Sequence, residues 1–236
     1  MAVFALNEHR LIFPKADLAD ESGLLAIGGK LDVDWVLEAY SCGIFPWFNE
    51  NDPIMWWSPN PRSVIVPGNL KIRKSMKSYF RSGRFHLKID KDFEQVIDNC
   101  QNIARRGQDG TWITQDMKDV YIELHNLGFA HSFETWEEGK LVGGLYGISL
   151  GKIFFGESMF SSVSNASKYA LLSLSMILEL NNFRLLDCQI PNPHLDNMGC
   201  VEMSRDDYLA LIKQNNKDDT IVGNWGNDLL KTDFKI

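Results

Sequence analysis

Three polar side chains stand inside the most apolar part of this 236-residue chain: Glu157 in IFFGESMF, and Asp187 and Gln189 in RLLDCQ. A buried carboxylate or amide without partners costs several kcal/mol or takes a shifted pKa, so such placements are rarely idle. Residues two apart on a strand project from the same face, which puts Asp187 beside Gln189. A carboxylate next to an amide can orient the amide oxygen to take a proton from an attacking amine, or act as a base through it. The plain alternative is a polar strand end that fixes the Pro-rich turn after it. Glu157, between Gly156 and Ser158, has a plain alternative too: a carboxylate satisfied by backbone amides. The stretch 141–189 is the candidate active site.

Other groups lie outside that stretch. Trp47 sits in FPWF and Trp112 in GTWIT. A lone tryptophan is more often core, but an indole exposed on a loop by a cleft stacks on a nucleobase, at about 1–3 kcal/mol per base. From 71 to 88 the chain carries Lys71, Arg73, Lys74, Lys77, Arg81, Arg84 and Lys88 without an acidic residue. On a helix, Lys71, Lys74, Lys77 and Arg81 share one face, while Ile72, Met76, Tyr79 and Phe80 tend to the other. A solvated helix face normally mixes signs, so an unmixed basic face on an acidic protein fits a phosphate backbone better. His9, His86, His125, His131 and His194 lack metal-ligand spacing, and no serine sits in a nucleophile elbow. GGLYG lies on a strand pattern, where its glycines allow close backbone approach rather than cradle a phosphate. We therefore expect no metal, no cofactor and no covalent intermediate.

The elements that must position these groups follow from pattern. A helix is expected over 33–42, capped by Asp32 or Asp34 and ended by Gly43. Pro46, Pro53, Pro59 and Pro61 then exclude a regular helix or central strand. This reading makes 1–61 a small N-terminal domain whose aromatic loops pack on a larger domain, 62–236. That domain reads as strand 63–66, helix 70–81, strand 85–89 and helices 92–100 and 114–127, the last with Thr114 as N-cap. Strands at 130–137, 140–149 and 152–158 follow, then helix 165–180, strand 184–190 and helix 205–214. The tail beyond 214 is polar and expected to dock loosely. Helices mixed with a largely antiparallel, mixed sheet make the chain α+β. The order strand, helix, three-strand meander, helix, strand resembles the GNAT-like acyltransferase fold, in which the acyl donor usually lies between two splayed strands. Here those are 152–158 and 184–189, which carry Glu157, Asp187 and Gln189.

The net charge of −7 argues against non-specific coating of nucleic acid, so any such contact needs a local basic patch. Cys42, Cys100, Cys188 and Cys200 form no CxxC pair and suit a reducing compartment. The N-terminus MAVFALNEHR is not a secretory signal, and no apolar run reaches the ~18 residues of a membrane span. We expect a cytoplasmic monomer with no membrane partner.

The motifs FPWF, WWSPNPR, GTWIT, LVGGLYG, FFGESMFS, NASK, LLDCQ and NPH, in this order, closely resemble the leucyl/phenylalanyl-tRNA–protein transferases. The resemblance runs from about Gly23 to about Tyr208. It implies transfer of Leu or Phe from Leu-tRNA or Phe-tRNA to proteins with N-terminal Arg or Lys, a tag for bacterial N-end-rule degradation. It implies that Asp187 and Gln189 are the catalytic Asp-x-Gln, with Glu157 near the reacting centre. Trp47 and Trp112 match the indoles that hold the tRNA 3′ adenosine, and Tyr121 and Asn192 match polar positions around it. Phe154 and Met159 match the pocket for the transferred side chain, with Leu145 where a methionine is familiar and Leu174 where an aromatic is familiar. The tRNA backbone is assigned to Lys71, Lys74, Lys77, Arg81 and Arg84. Two alternatives stay open. An acyl-CoA transferase would share the sheet, but FSSVSNASK lacks the glycines of a pyrophosphate loop. An RNA-binding module would explain the basic face and the indoles, but not the inward carboxylates.

Overall fold

Short-range patterning builds two sheets in the computed structural model, which describes residues 3–70, 72, 74–103, 112–227 and 229–232. The first sheet holds β1 (Phe4–Leu6), β2 (Leu24–Gly28), β3 (Phe45–Pro46) and β4 (Met55–Trp57) in the order β1-β2-β4-β3. Helix α1 (Val33–Ser41) starts where the Asp32 carboxylate accepts the Trp35 N–H at 3.0 Å, so Asp32 rather than Asp34 is the cap. The expectation of no central strand among the prolines is corrected. β4 lies between β2 and β3, and Pro53 and Pro59 bracket it without removing a ladder donor. Pro46 is confined to the edge strand β3, where its missing N–H costs nothing. Trp35, Trp56 and Phe13 pack as the core of this sheet.

The second sheet holds β5 (Arg62–Ile65), β6 (His86–Ile89), β7 (Ala130–Glu137), β8 (Lys140–Leu150), β9 (Ile153–Ser161), β10 (Leu185–Gln189) and β11 (Val201–Met203). Its order is β11-β5-β10-β9-β8-β7-β6, and of the described pairs in this sheet β9–β10 alone is parallel. The α+β reading and the mixed, largely antiparallel sheet therefore hold, including the β7-β8-β9 meander, a crossover helix and a parallel return to β9. The helices of this part are α2 (Lys74–Ser82), α3 (Phe93–Asn102), α4 (Gln115–Asn126), α5 (Ala166–Leu180), α6 (Pro193–Asp196) and α7 (Arg205–Asn215). Thr114 caps α4 as expected, accepting the Met117 N–H at 3.2 Å. β1, β2, β11 and α6 are not among the expected elements; β1 and β11, with three residues each, are too short to establish a period.

One face of this sheet packs on α3, α4 and α7 through Ile153, Phe155 and Leu185; the other packs on α5 through Phe154 and Leu186. Tyr40, Phe45 and Phe48 from the N-terminal part belong to the first of these cores. Gly143 permits the approach of α5: a Cβ there would stand 2.5 Å from that of Ala166. No described helix is long and apolar enough to cross a membrane.

The tail contradicts the expectation of loose docking. Trp225 is 1% exposed, stacks on His131 at 3.7 Å and donates its backbone N–H to Asp90 Oδ2 at 2.7 Å. One large indole with a hydrogen-bonded backbone anchors a polar segment that composition alone marks as free.

Candidate active site

Two β-bulges shape the site. β9 and β10 pair in parallel as far as Phe155 and Asp187 and then part. Beyond that point the β8 ladder jumps from Gly147↔Gly156 to Tyr146↔Ser158, leaving Glu157 as the extra residue. The β5 ladder jumps from Val64↔Asp187 to Ser63↔Gln189, leaving Cys188 unpaired. A bulge bends its strand and re-aims a side chain. Gln189 accordingly takes a left-handed backbone, φ 56°. The two strands splay around a cavity of about 730 Å³.

Asp187 does not open into that cavity. It is fully buried and meets Arg62, also buried, in a two-pronged ion pair: Nε donates to Oδ1 at 2.9 Å and Nη2 to Oδ2 at 2.7 Å. The Tyr208 hydroxyl donates to Oδ2 at 2.8 Å, and the Gln189 backbone N–H to Oδ1 at 2.9 Å. Arg62 lies under the Phe45 and Tyr208 rings, 4.8 and 4.5 Å from their centroids. Burial alone would lower its pKa, but the Asp187 charge and hydrogen bonds, with Tyr208 and Tyr40, together outweigh it, and the pKa is raised. The same-face arrangement of the Asp187 carboxylate and the Gln189 amide is therefore not what the fold builds. The bulge separates them, and Asp187 holds the backbone of Gln189 instead.

The Gln189 side chain turns to Glu157, its Nε2 donating to Oε1 at 3.3 Å. Tyr40 donates to the same oxygen at 2.5 Å, Tyr121 donates to Oε2 at 2.9 Å, and the two phenols lie 3.0 Å apart. An ionised carboxylate only accepts, so the amide must present N–H₂ to Glu157 and keep Oε1 for another donor. Burial raises the Glu157 carboxyl to about 7, against the lowering effect of the two hydroxyls. Burial and then the Glu157 charge push both phenols well above their ordinary value, so they remain donors.

The other expected residues divide clearly. Trp47, Trp112, Leu145, Glu157, Met159, Leu174, Gln189 and Asn192 line the cavity, with Leu171, Leu186 and Leu195 completing an aliphatic wall. Trp47 is 38% exposed and meets Trp57 edge-on at 5.6 Å. Two expectations are corrected. Phe154 is fully buried on the α5 face, its ring 6.0 Å from those of Phe133 and Trp225, and it is not part of the wall. Tyr121 is fully buried beneath Glu157 rather than at the wall. On α2, Lys74 and Arg81 are exposed and Lys77 is half-buried, whereas Met76 is buried against the α5 core. Arg84 is paired with Glu137 at 2.5 Å and lies over the Tyr79 and Phe85 rings. Lys71 and Arg73 fall outside the described residues. Arg62, Tyr40 and Tyr208 were missed by sequence reasoning. Arg62 alone left a signal, a charge opening the wholly buried strand RSVI, which demands a partner.

The family described as leucyl/phenylalanyl-tRNA protein transferase matches residues 64–213. The chain belongs to this family. The N-terminal domain described for the same family matches 29–60, the segment that supplies Tyr40 and Trp47 to the site. The transferase is 51% identical over 203 residues to the leucyl/phenylalanyl-tRNA–protein transferase of Flavobacterium johnsoniae, covering 86% of this chain and 96% of that one. It is 46% identical over 224 residues to that of Hydrogenovibrio crunogenus, covering 94% and 88%. A solved aminoglycoside acetyltransferase from a soil metagenome covers 57% of the transferase and 88% of its own chain at 12% identity, with a TM-score of 0.35. So slight a likeness carries no argument.

Proposed function

We propose that this aminoacyltransferase moves leucine or phenylalanine from the 3′ end of an aminoacyl-tRNA to the N-terminal amine of a protein beginning with Arg or Lys, tagging it for N-end-rule degradation. The observation that carries the reading is the Gln189 amide, locked by Asp187 and Glu157 so that its oxygen is left for a donor beside a largely aliphatic cavity. A cavity of about 730 Å³ is of a size that takes a nucleoside and a side chain together. Leu145, Met159, Leu171 and Leu174 offer an unbranched-to-branched apolar surface for the aminoacyl group. Trp47 and Trp112 offer indoles at the same cavity for the adenine.

The chemistry asks little of such a site. The ester is already activated, and an N-terminal amine with a pKa of about 7.7–8.0 is appreciably neutral at pH 7. The amine nitrogen attacks the ester carbonyl; the C–N bond forms, the C–O bond breaks, and the ribose oxygen leaves with a proton. Holding the two reactants together supplies most of the rate, since effective molarities reach about 10⁵ M or more. Gln189 Oε1 would accept a hydrogen bond from the amine and orient its lone pair. Asp187 is ion-paired with Arg62 away from the cavity, whereas Glu157 lines the cavity and is held by neutral donors, so Glu157 is the carboxylate left to attract a cationic Arg or Lys side chain. The division into 1–61 and 62–236 belongs to the same proposal. It is supported by one sheet ending at Trp57 and the next beginning at Arg62.

The test mixes the protein with radiolabelled Phe-tRNA or Leu-tRNA and an acceptor bearing N-terminal Arg, and counts label in the RNase-treated precipitate. Label that appears with Arg and vanishes with an N-terminal Ala acceptor is the expected result; none with either acceptor sinks the proposal. Neutralising Lys74, Lys77 and Arg81 together should make the slope of log binding constant against log salt shallower by about 2–3. Filter binding of aminoacyl-tRNA from low to high salt reads this, and an unchanged slope would move the RNA elsewhere.

A further inference from the structure

The β6 edge of the second sheet carries a basic site outside the cavity. Cross-strand partners share a face, so His86 stands beside Trp136 and Lys88 beside Glu134. Glu134 is fully buried, and its carboxylate holds both halves of the site. Its Oε2 accepts the Trp136 indole N–H at 2.8 Å, which fixes the ring. Its Oε1 accepts the backbone N–H groups of Lys91 and Asp92 at 2.9 and 2.7 Å, which fixes the turn that carries Lys91. The Ser132 hydroxyl donates to the same oxygen at 2.9 Å. The Lys91 ammonium stands 4.1 Å from the centre of the Trp136 ring. With His86 and Lys88, these two side chains line a hollow of about 430 Å³.

The charge here is one-sided. His86, Lys88 and Lys91 are exposed, and among the described residues none of the three is ion-paired. Asp90 is the sole acidic residue from 71 to 91, and it turns inward to His131 and the Trp225 N–H. Glu137, next to Trp136, is taken up by Arg84.

We propose that this edge is a further contact for tRNA, with Lys88 and Lys91 taking backbone phosphates and the Trp136 ring taking a nucleobase. The choice of partner rests on the transfer reading above. An indole rimmed by ammonium groups meets both parts of a nucleotide, its π-face and its phosphate. As RNA docks, the Lys91 ammonium passes from the ring to a phosphate and leaves the face to a base. Lysines on an edge strand also discourage pairing with other strands, but that task needs no indole held by a buried carboxylate. The register sets the reach. Lys88, Glu134, Gly144 and Phe160 form one row across the sheet, and Phe160 follows Met159 of the cavity wall. Three strand spacings put the edge about 14 Å from the end of that row. RNA with its 3′ end in the cavity covers this distance within a few nucleotides.

Filter binding of tRNA from low to high salt tests the site without any transfer. Lys88→Ala with Lys91→Ala should make the slope of log binding constant against log salt shallower by about 2, with affinity about 10-fold weaker at low salt. Trp136→Leu should weaken binding by about 10-fold and leave the slope unchanged, because stacking releases no counterions. A short oligonucleotide of the 3′ end, unable to span from cavity to edge, should bind the parent and the double lysine variant equally. The lysine variant removes only exposed side chains, so it carries the test even where Trp136→Leu fails to fold. An unchanged slope with tRNA would overturn the proposal and give this edge to an acidic protein segment. Equal losses with tRNA and the short oligonucleotide would overturn it too. If the parent binds tRNA but labels no acceptor, the transfer reading fails while the edge contact stands or falls by the salt slope.

Discussion

Replacing Arg62 by alanine should lower the unfolding free energy by about 3–5 kcal/mol, because it strands a buried carboxylate. Arg62 and Asp187 are 1% and 0% exposed and joined through two parallel hydrogen bonds. With the guanidinium gone, Asp187 keeps only the Tyr208 hydroxyl and the Gln189 N–H, too few for a charge away from water. Arg62→Lys should recover only part of the loss, since an ammonium cannot span both oxygens. Replacing both partners, as Arg62→Met with Asp187→Leu, should cost less than Arg62→Ala alone, because the uncompensated charge disappears with its partner. Urea unfolding with linear extrapolation measures all three. Arg62→Ala within about 1 kcal/mol of the parent would mean that the pair does not hold this part of the sheet. Activity should follow the same path. Asp187 Oδ1 pins the Gln189 backbone in its left-handed turn, so loosening Asp187 should lower kcat for transfer more than it weakens aminoacyl-tRNA binding.

Between pH 4.5 and 7 the Glu157 carboxyl should make the protein lose about 3 kcal/mol of stability. Its ordinary value is 4.5 and burial raises it to about 7 in the fold. In that window the folded protein holds a proton that the unfolded chain has released. The contribution is fully present below about 4.5, declines as pH rises through about 7, and is flat above. Glu157→Gln has no such proton, so the difference between parent and variant should carry the whole slope. Urea unfolding of both proteins from pH 5 to 8 would read it, and a pH-independent difference would falsify the shift. Under the proposed transfer, the same ionisation would ready the site for a cationic acceptor. Transfer should therefore rise through pH 7 with one ionisation more in the parent than in Glu157→Gln.

Much of the scaffold was legible locally. Strand 130–137 was read to the residue, helices α4 and α7 to within one or two, and Thr114 as a cap. Alternation, helical period and capping act over a few residues and need no distant partner. The polar trio Glu157, Asp187 and Gln189 stood out for a related reason: apolar neighbours predicted burial, and burial makes a polar group conspicuous.

What the trio does was decided elsewhere. Arg62 reaches Asp187 across 125 positions of the chain, and Tyr40 reaches Glu157 across 117. No local pattern encodes a pairing at that range. The strict period-two reading also failed just where it mattered, at the bulges of Glu157 and Cys188, because one extra residue re-aims those that follow. That is why Asp187 clamps a backbone instead of polarising an amide. The identity of the buried polar residues, the two tryptophans and the basic helix was set by the amino-acid sequence alone. Which carboxylate faces the cavity and which supports it was left to the tertiary structure, since only the packed sheet determines where each charge finds its hydrogen-bond donors.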